Sequence, residues 1–324
     1  MKVVTVGTSL ITELLIAGFR EVGIDVFACV GRDNQRVQEF ASKNSVAYHA
    51  SDYDQVLDSP LFDTVYLGIP NSLHYEYAKK ALLKGKNVIV EKPFTTNLWQ
   101  AKELALLANT KNLLIFDANI TPHNAAYKLL KKDIQMLGQI RMVELDYSKY
   151  SSKYDDFLAG GTPNIFNPEY GTGALMDLGV YNIEFACGLF GLPKKSHYYP
   201  NMQRGIDTSG VSILEYDGFI VNSVACKDSN KGGFINILGE KGNIYAHQDN
   251  SIFNSYCIEL NDGTKVERQF PKTSKYYQEL CDFKSMSDYG SIKTNNEYLT
   301  ITLMAIKVLD DLRKSCGLRF KADN

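Results

Sequence analysis

Two short segments of this 324-residue chain place ionisable side chains where chemistry could use them. In the first, Glu91-Lys92-Pro93 follows Val88-Ile89-Val90 directly, so a charge pair stands at the mouth of what reads as a buried strand. A lysine there can donate to an oxygen that gains negative charge. The second segment is Gly171-Thr172-Gly173-Ala174-Leu175-Met176-Asp177-Leu178-Gly179-Val180-Tyr181. Asp177 and Tyr181, four positions apart, share one face of a helix. A carboxylate and a phenol on one face can hold hydroxyl groups and pass a proton. A phenol titrates near about pH 10, too high for a base at neutral pH, and a Lys92 ammonium beside it would favour the phenolate. Read alone, the second segment is equally a glycine-rich helix start with a core tyrosine.

Other candidates concern a dinucleotide. Such a site needs a strand, a tight glycine turn and a helix whose N-terminus faces the pyrophosphate. The apolar run 3–6 leads into Gly7-Thr8-Ser9-Leu10-Ile11-Thr12. Of a G-x-G-x-x-G pattern only the first glycine is present. Ser9 stands second, adding a Cβ but also a hydroxyl, and Thr12 stands third, at a cost in helix–strand closeness. A plain strand–helix turn is the competing reading. Gly7, Thr8, Ser9, Leu10 and Ile11 are the candidate pyrophosphate contacts. The second strand ends in Val30-Gly31-Arg32-Asp33, without the acidic residue that would bind the ribose of NAD. Arg32 suits a 2′-phosphate, which a planar guanidinium grips as a fork, so NADP is the expected cofactor and NAD the alternative. Arg32 as a solvated surface residue is the bland reading, and Asp33 reads as the start of the next helix. Pro70-Asn71-Ser72-Leu73-His74 follows the β-branched run 64–69. The carboxyl ends of parallel strands face the ligand crevice, so Pro70, Asn71, His74, Glu91 and Lys92 belong to the same mouth. His74 could instead make only a structural hydrogen bond beside a helix start.

The elements that must position these residues form two patterns. Through residue 118 short apolar runs (3–6, 25–30, 46–49, 64–69, 87–90, 113–116) alternate with amphipathic stretches (10–20, 35–43, 74–84, 98–108). In the first stretch Leu10, Leu14, Ala17 and Gly18 fall at helical spacing. This alternation predicts an α/β fold, an N-terminal Rossmann domain with a doubly wound parallel sheet. After about residue 120 come a helix at 122–133, a strand at 140–147, and hairpins around Asp217-Gly218 and Asn261-Asp262-Gly263. Helices at 275–288 and 297–316 end the chain. The expectation is a dinucleotide-binding domain over 1–118 and an α+β domain over 119–324, with a largely antiparallel sheet.

Composition narrows the function. Apolar residues make 44% and charged residues 22%, as in ordinary globular proteins. Lys plus Arg is 35 against 37 Asp plus Glu, a net charge of −2 that gives no case for nucleic acid or an anionic membrane. No apolar run is long enough to span a bilayer. The six cysteines form no CxxC pair and the histidines no metal-ligand spacing, so no metal is expected. The start reads as a strand and turn rather than a signal peptide, which makes a cytoplasmic protein the expectation. Tyr147, Tyr150 and Tyr154 could line a sugar pocket or could be interface tyrosines.

The Gly7 turn, Ile69-Pro70-Asn71-Ser72-Leu73-His74, Val88-Ile89-Val90-Glu91-Lys92-Pro93 and the Gly171–Tyr181 segment, at this spacing, resemble the Gfo/Idh/MocA oxidoreductase family. The resemblance spans nearly the whole chain. It implies Lys92 beside the nicotinamide and the reacting hydroxyl, Asp177 orienting substrate, and Tyr181, where many members carry His, as the acid/base. It implies a large open sheet in the second domain through which homodimers or homotetramers pair, and a small carbohydrate-like substrate such as a sugar, polyol or dihydrodiol. Two departures stand out: Ser9 in the glycine turn, and Asp117-Ala118-Asn119-Ile120-Thr121, which lacks an arginine some members carry. A non-catalytic NAD(P)-binding regulator of the same fold is the rival from another class.

Overall fold

The computed structural model describes residues 1–230 and 232–323. The chain forms two compact units, Met1–Asn119 with Ser274–Thr302, and Ile120–Thr273 with the chain from Leu303 on.

The first unit carries six parallel strands, β1 (Lys2–Val6), β2 (Asp25–Val30), β3 (Tyr48–Ala50), β4 (Thr64–Leu67), β5 (Asn87–Glu91) and β6 (Ile115–Ala118), in the order β3-β2-β1-β4-β5-β6. The helices α1 (Leu10–Glu21), α2 (Asn34–Lys43), α3 (Tyr53–Leu57), α4 (His74–Leu83) and α5 (Leu98–Thr110) connect them. The chain winds outward from β1 through β3, then crosses to β4 on the other side of β1. The crevice at this switch point, beyond the carboxyl ends of β1 and β4, is where doubly wound sheets bind ligands. On one face Val3, Leu15, Phe19, Tyr66, Ile89 and Phe116 pack with Leu280, Phe283 and Met286. The last three belong to α9 (Tyr277–Asp288), and the rings of Phe116 and Phe283 stack at 4.6 Å. This apolar packing is why Ser274–Thr302 groups with the first unit, a return that a single boundary near residue 118 does not include.

Two local expectations need correction. In α1 the buried residues are Thr12, Leu15, Ile16, Gly18 and Phe19, whereas Leu10 and Leu14 are 68% and 45% exposed. Gly18 lets the helix approach Leu280, and that contact selects the 15–19 face. The third strand starts at Tyr48 rather than 46, because Val46 is drawn into the core of Ile16, Cys29, Val37 and Phe40 instead of the ladder.

In the second unit β7 (Ile140–Ser148), β8 (Lys195–Gln203), β9 (Ile206–Tyr216), β10 (Phe219–Cys226), β11 (Gly232–Gly239), β12 (Gly242–Ala246), β13 (Ser255–Leu260) and β14 (Lys265–Gln269) form one sheet ordered β14-β13-β12-β11-β7-β10-β9-β8. Its pairs are antiparallel apart from β10 on β7. Gly218 and Gly263 turn the two expected hairpins with φ of +79° and +89°. The helix expected over 122–133 begins only at Ala125, as α6 (Ala125–Asp133), because Asn124 is extended and caps it through the amides of Ala126 and Tyr127. The other helices are α7 (Tyr154–Leu158), α8 (Val180–Phe190) and α10 (Ile292–Ser315), the last shared between the units. Among the described residues no helix is long and apolar enough to cross a membrane, and no cluster of His, Cys, Asp or Glu could hold a metal.

Candidate active site

In the first unit, Gly7 adopts φ +111°, and a Cβ on it would lie 2.2 Å from the carbonyl oxygen of Gly68. Only glycine allows that approach. Its amide donates to Val30 and that of Gly68 to Val6, both at 2.9 Å, so the turn is fixed to β2 and β1. Ser9, at the position of the pattern's second glycine, is the N-cap of α1; its Oγ accepts from the Thr12 amide at 3.2 Å. Thr12, in place of the third glycine, is fully buried, and a Cβ on Gly68 would lie 2.4 Å from its Oγ1. The closeness lost at Thr12 is thus recovered from the opposite side by Gly68. Leu10 and Ile11, 68% and 39% exposed, leave the helix N-terminus open to solvent. A tight turn under an open helix N-terminus fits a pyrophosphate. Arg32 is exposed at the end of β2. Asp33 caps α2, accepting from the Arg36 amide at 3.0 Å, as its reading as a helix start requires.

Further along the same sheet edge, Pro70 precedes a short turn Asn71–Leu73 that runs into α4. His74 is fully buried. Its Nε2 lies 2.9 Å from the Ile69 carbonyl oxygen and its Nδ1 3.1 Å from that of Pro93. The neutral ring donates to one of the two at a time. Burial holds its pKa below the ordinary value, against the opposing pull of the carbonyls. His74 therefore clamps the Lys92-Pro93 turn to the end of β4. Lys92 itself is half-buried. The Glu91 carboxylate accepts from the Tyr66 hydroxyl at 2.9 Å. Burial pushes the Glu91 carboxyl up, opposed by the Lys92 ammonium and the Tyr66 bond. Two more acids face this region. Burial raises Asp117 to about 7, a bond from Thr302 opposing it and Glu91 adding to it. Glu279, 1% exposed, has no hydrogen-bond partner for either carboxyl oxygen among the described residues. Burial first, then Glu91 and Asp117, push it well above the carboxylate range.

In the second unit, one π-helical turn, Leu175–Gly179, carries Asp177 and leads into α8. Such turns mark functional positions more often than plain helix does. The preceding Gly173 has φ +104°, and a Cβ there would lie 1.9 Å from Oδ1 of Asp207. The other oxygen of Asp207 accepts from the Leu175 amide at 2.7 Å and from the Tyr198 hydroxyl at 2.8 Å. Burial raises Asp207 to about 6, against those bonds and the charge of Lys227. Asp177 is ion-paired with Lys227, a side chain 3% exposed. Tyr181, 6% exposed, lies with its ring 5.6 Å from that of Tyr147, whose hydroxyl is 3.0 Å from Ser251 Oγ. Of the other tyrosines, Tyr154 is in an aromatic cluster with Phe157 and Phe166, and Tyr150 stacks edge-on against it.

Sequence reasoning missed Tyr66, Gly68, Asp207, Lys227 and Glu279. For Lys227 the signal was present: Lys227-Asp228 follows the apolar run of β10 directly, just as Glu91-Lys92 ends β5. Glu279 gave none, since an acid in a helix is ordinarily solvated.

A doubly wound domain with a glycine turn at its switch point, joined to a unit built on one wide sheet, is the architecture of a nicotinamide-dependent oxidoreductase. Residues 1–118 match the oxidoreductase family with an NAD-binding Rossmann fold, and residues 127–245 match that family's C-terminal domain. The chain belongs to the Gfo/Idh/MocA oxidoreductase family. It is 32% identical over 325 residues to scyllo-inositol 2-dehydrogenase (NADP(+)) of Bacillus subtilis (strain 168), with 98% of each chain covered. It is 26% identical over 223 residues to trans-1,2-dihydrobenzene-1,2-diol dehydrogenase of Sus scrofa, covering 67% of this chain and 64% of that one. In fold it is similar to a 3-ketoreductase from Actinomadura kijaniata solved with NADP and TDP-benzene, with a TM-score of 0.83, 20% identity and 97% of each chain covered. The chain is an enzyme with an NAD(P)-binding Rossmann domain.

Proposed function

We propose that the protein interconverts a secondary alcohol and a ketone on a polyol or sugar ring, with NADP as the preferred cofactor. The observation that carries this is the clamped Glu91-Lys92-Pro93 turn on the same carboxyl sheet edge as the Gly7 turn. The polyol class is supported by the likeness, over 98% of both chains, to a scyllo-inositol dehydrogenase. Gly7, Thr8, Ser9, Leu10 and Ile11 would hold the pyrophosphate, Arg32 the 2′-phosphate, and Pro70 and Asn71 the nicotinamide half, with His74 and Glu91 fixing the turn that carries Lys92. When bound, the nicotinamide accepts or gives the hydride. The chain's own residues do the rest. Lys92 donates to the reacting oxygen and stabilises the charge it gains. Tyr181 takes or returns the hydroxyl proton. Asp177 accepts from a substrate hydroxyl and sets the ring's orientation.

Pairing with a second copy through the eight-stranded sheet and a cytoplasmic location complete the reading. Met142 and Ile220, opposite one another on β7 and β10, are 40% and 41% exposed, which favours a covered sheet face. Sedimentation would report a dimer or tetramer, or a monomer against it. The function is tested by following NADP reduction with scyllo-inositol, other cyclic polyols, sugars and a dihydrodiol. Turnover of a ring polyol is expected. NADPH binding without turnover of any of them would favour a regulatory protein instead.

A further inference from the structure

We propose that Lys227 is a positioning residue for this reaction: its buried ammonium holds Asp177 as a fixed, ionised hydrogen-bond acceptor, so that Asp177 orients substrate and leaves proton transfer to Tyr181. The proposal rests on the function proposed above and lies entirely within the second unit.

Lys227 is the first residue past β10. Its amide donates to the Thr208 carbonyl at 2.8 Å, and its carbonyl accepts from the Ser151 amide at 2.9 Å. The backbone is thus pinned on both sides. The side chain is 3% exposed, and its Nζ lies 5.5 Å from the ring centroid of Phe166, which itself stacks on Phe157 at 4.9 Å. With an aromatic wall beside it, the ammonium pairs with Oδ2 of Asp177, a side chain 22% exposed. An ammonium paired with a carboxyl favours its ionised form, so protonating Asp177 works against the pair. Asp177 is therefore a poor proton carrier and a rigid acceptor.

The groups around the pair fit this division. Asp207, from β9, is engaged by the Leu175 amide and the Tyr198 hydroxyl, and Lys227 pulls its carboxyl down. Tyr147, from β7, is pushed up by burial, then by Asp249 and more weakly by Asp177, with Ser251 opposing, so its phenol keeps its proton. Tyr181, from α8, packs its ring 5.6 Å from that of Tyr147. On oxidation, a bound nicotinamide would supply the two-electron acceptor for the C–H hydride, and a deprotonated Tyr181 would take the O–H proton as the C=O bond forms. Asp177 neither gains nor loses a proton.

The test uses the full-length enzyme and the variants Lys227→Met, Lys227→Arg, Asp177→Asn and the Lys227→Met/Asp177→Asn pair. NADPH binding is followed by fluorescence, NADP reduction by scyllo-inositol from pH 5 to 10, and melting temperature over pH 4 to 8. All variants should bind NADPH as wild type does. Lys227→Met should lose on the order of 10²-fold in kcat/KM, as a misplaced orienting group does. Its acid limb should move up by about one to three pH units as Asp177 loses its cation. Lys227→Arg should restore the wild-type limb, and the pair should be no worse than Asp177→Asn alone. A Lys227→Met enzyme with an unmoved acid limb, or additive losses in the pair, would overturn the proposal. If wild type turns over no polyol, the function fails separately, and the melting curves decide on Lys227. Coupled shifts that vanish in acid support the ionised pair, and additive shifts contradict it.

Discussion

The Tyr66 hydroxyl donates to Oε1 of Glu91 at 2.9 Å, tying the middle of β4 to the residue just before Lys92. Tyr66 is fully buried and its phenol is held well above its ordinary pKa, chiefly by burial, so it stays a donor across the working pH range. Tyr66→Phe keeps the ring but leaves the Glu91 carboxyl short of a donor. It should destabilise by about 1–3 kcal/mol, the cost of an unmet buried polar group. It should also lower kcat more than it weakens NADPH binding. Urea unfolding and steady-state kinetics would check both.

Glu279 predicts a pH-dependent gain on substitution. Burial raises its folded pKa above the unfolded value of about 4.3, so the folded state keeps a proton that the unfolded state releases. That contribution is favourable to folding only in acid, and stability falls as pH rises from the unfolded toward the folded value. Glu279→Gln removes the titration. The variant should match wild type near pH 4 and become relatively more stable toward pH 8, by about 1.4 kcal/mol per unit of raised pKa. Melts across that range would show the two curves diverging; parallel curves would contradict it.

Gly173 predicts a backbone effect. Its φ of +104° is costly for any side chain, and a Cβ would strike Oδ1 of Asp207. Gly173→Ala should destabilise by about 1–3 kcal/mol from strain alone. Because Asp207 also receives the Leu175 amide, the turn carrying Asp177 should shift and the KM for substrate should rise. Denaturation and substrate titration would separate the two effects.

The parallel sheet was legible because buried strands such as Thr64–Leu67 and Asn87–Glu91 read as apolar runs punctuated by glycine and proline. The hairpins at Gly218 and Gly263 were legible because positive φ demands particular residues. What stayed hidden depends on contacts distant in sequence. The buried face of α1 is chosen by Leu280, over 250 positions away, which no local periodicity encodes. Thr12 reads as a defect in the glycine turn until Gly68 is seen against it. Asp177 and Tyr181 could be singled out from spacing, but Lys227, the cation paired with Asp177, lies fifty residues on, just past β10.

Arg32 predicts cofactor choice. It is exposed and follows β2, with Asp33 beside it capping α2 through Oδ1. Arg32→Ala should weaken NADPH binding about tenfold or more, since a charge-assisted bond is worth roughly 1.5–3 kcal/mol, and leave NADH binding nearly unchanged. Nicotinamide fluorescence titrations with both cofactors would check this. Equal losses for the two would remove Arg32 from 2′-phosphate recognition.

If Lys92 assists hydride transfer to or from a ring alcohol, its removal slows that step and leaves cofactor binding intact. Wild type and Lys92→Met would be loaded with NADP and mixed with scyllo-inositol, and NADPH formation followed through a single turnover. Wild type should reduce NADP, and Lys92→Met should bind NADPH normally but react about 10²–10⁴-fold more slowly. A Lys92→Met enzyme that reacts at the wild-type rate would contradict it.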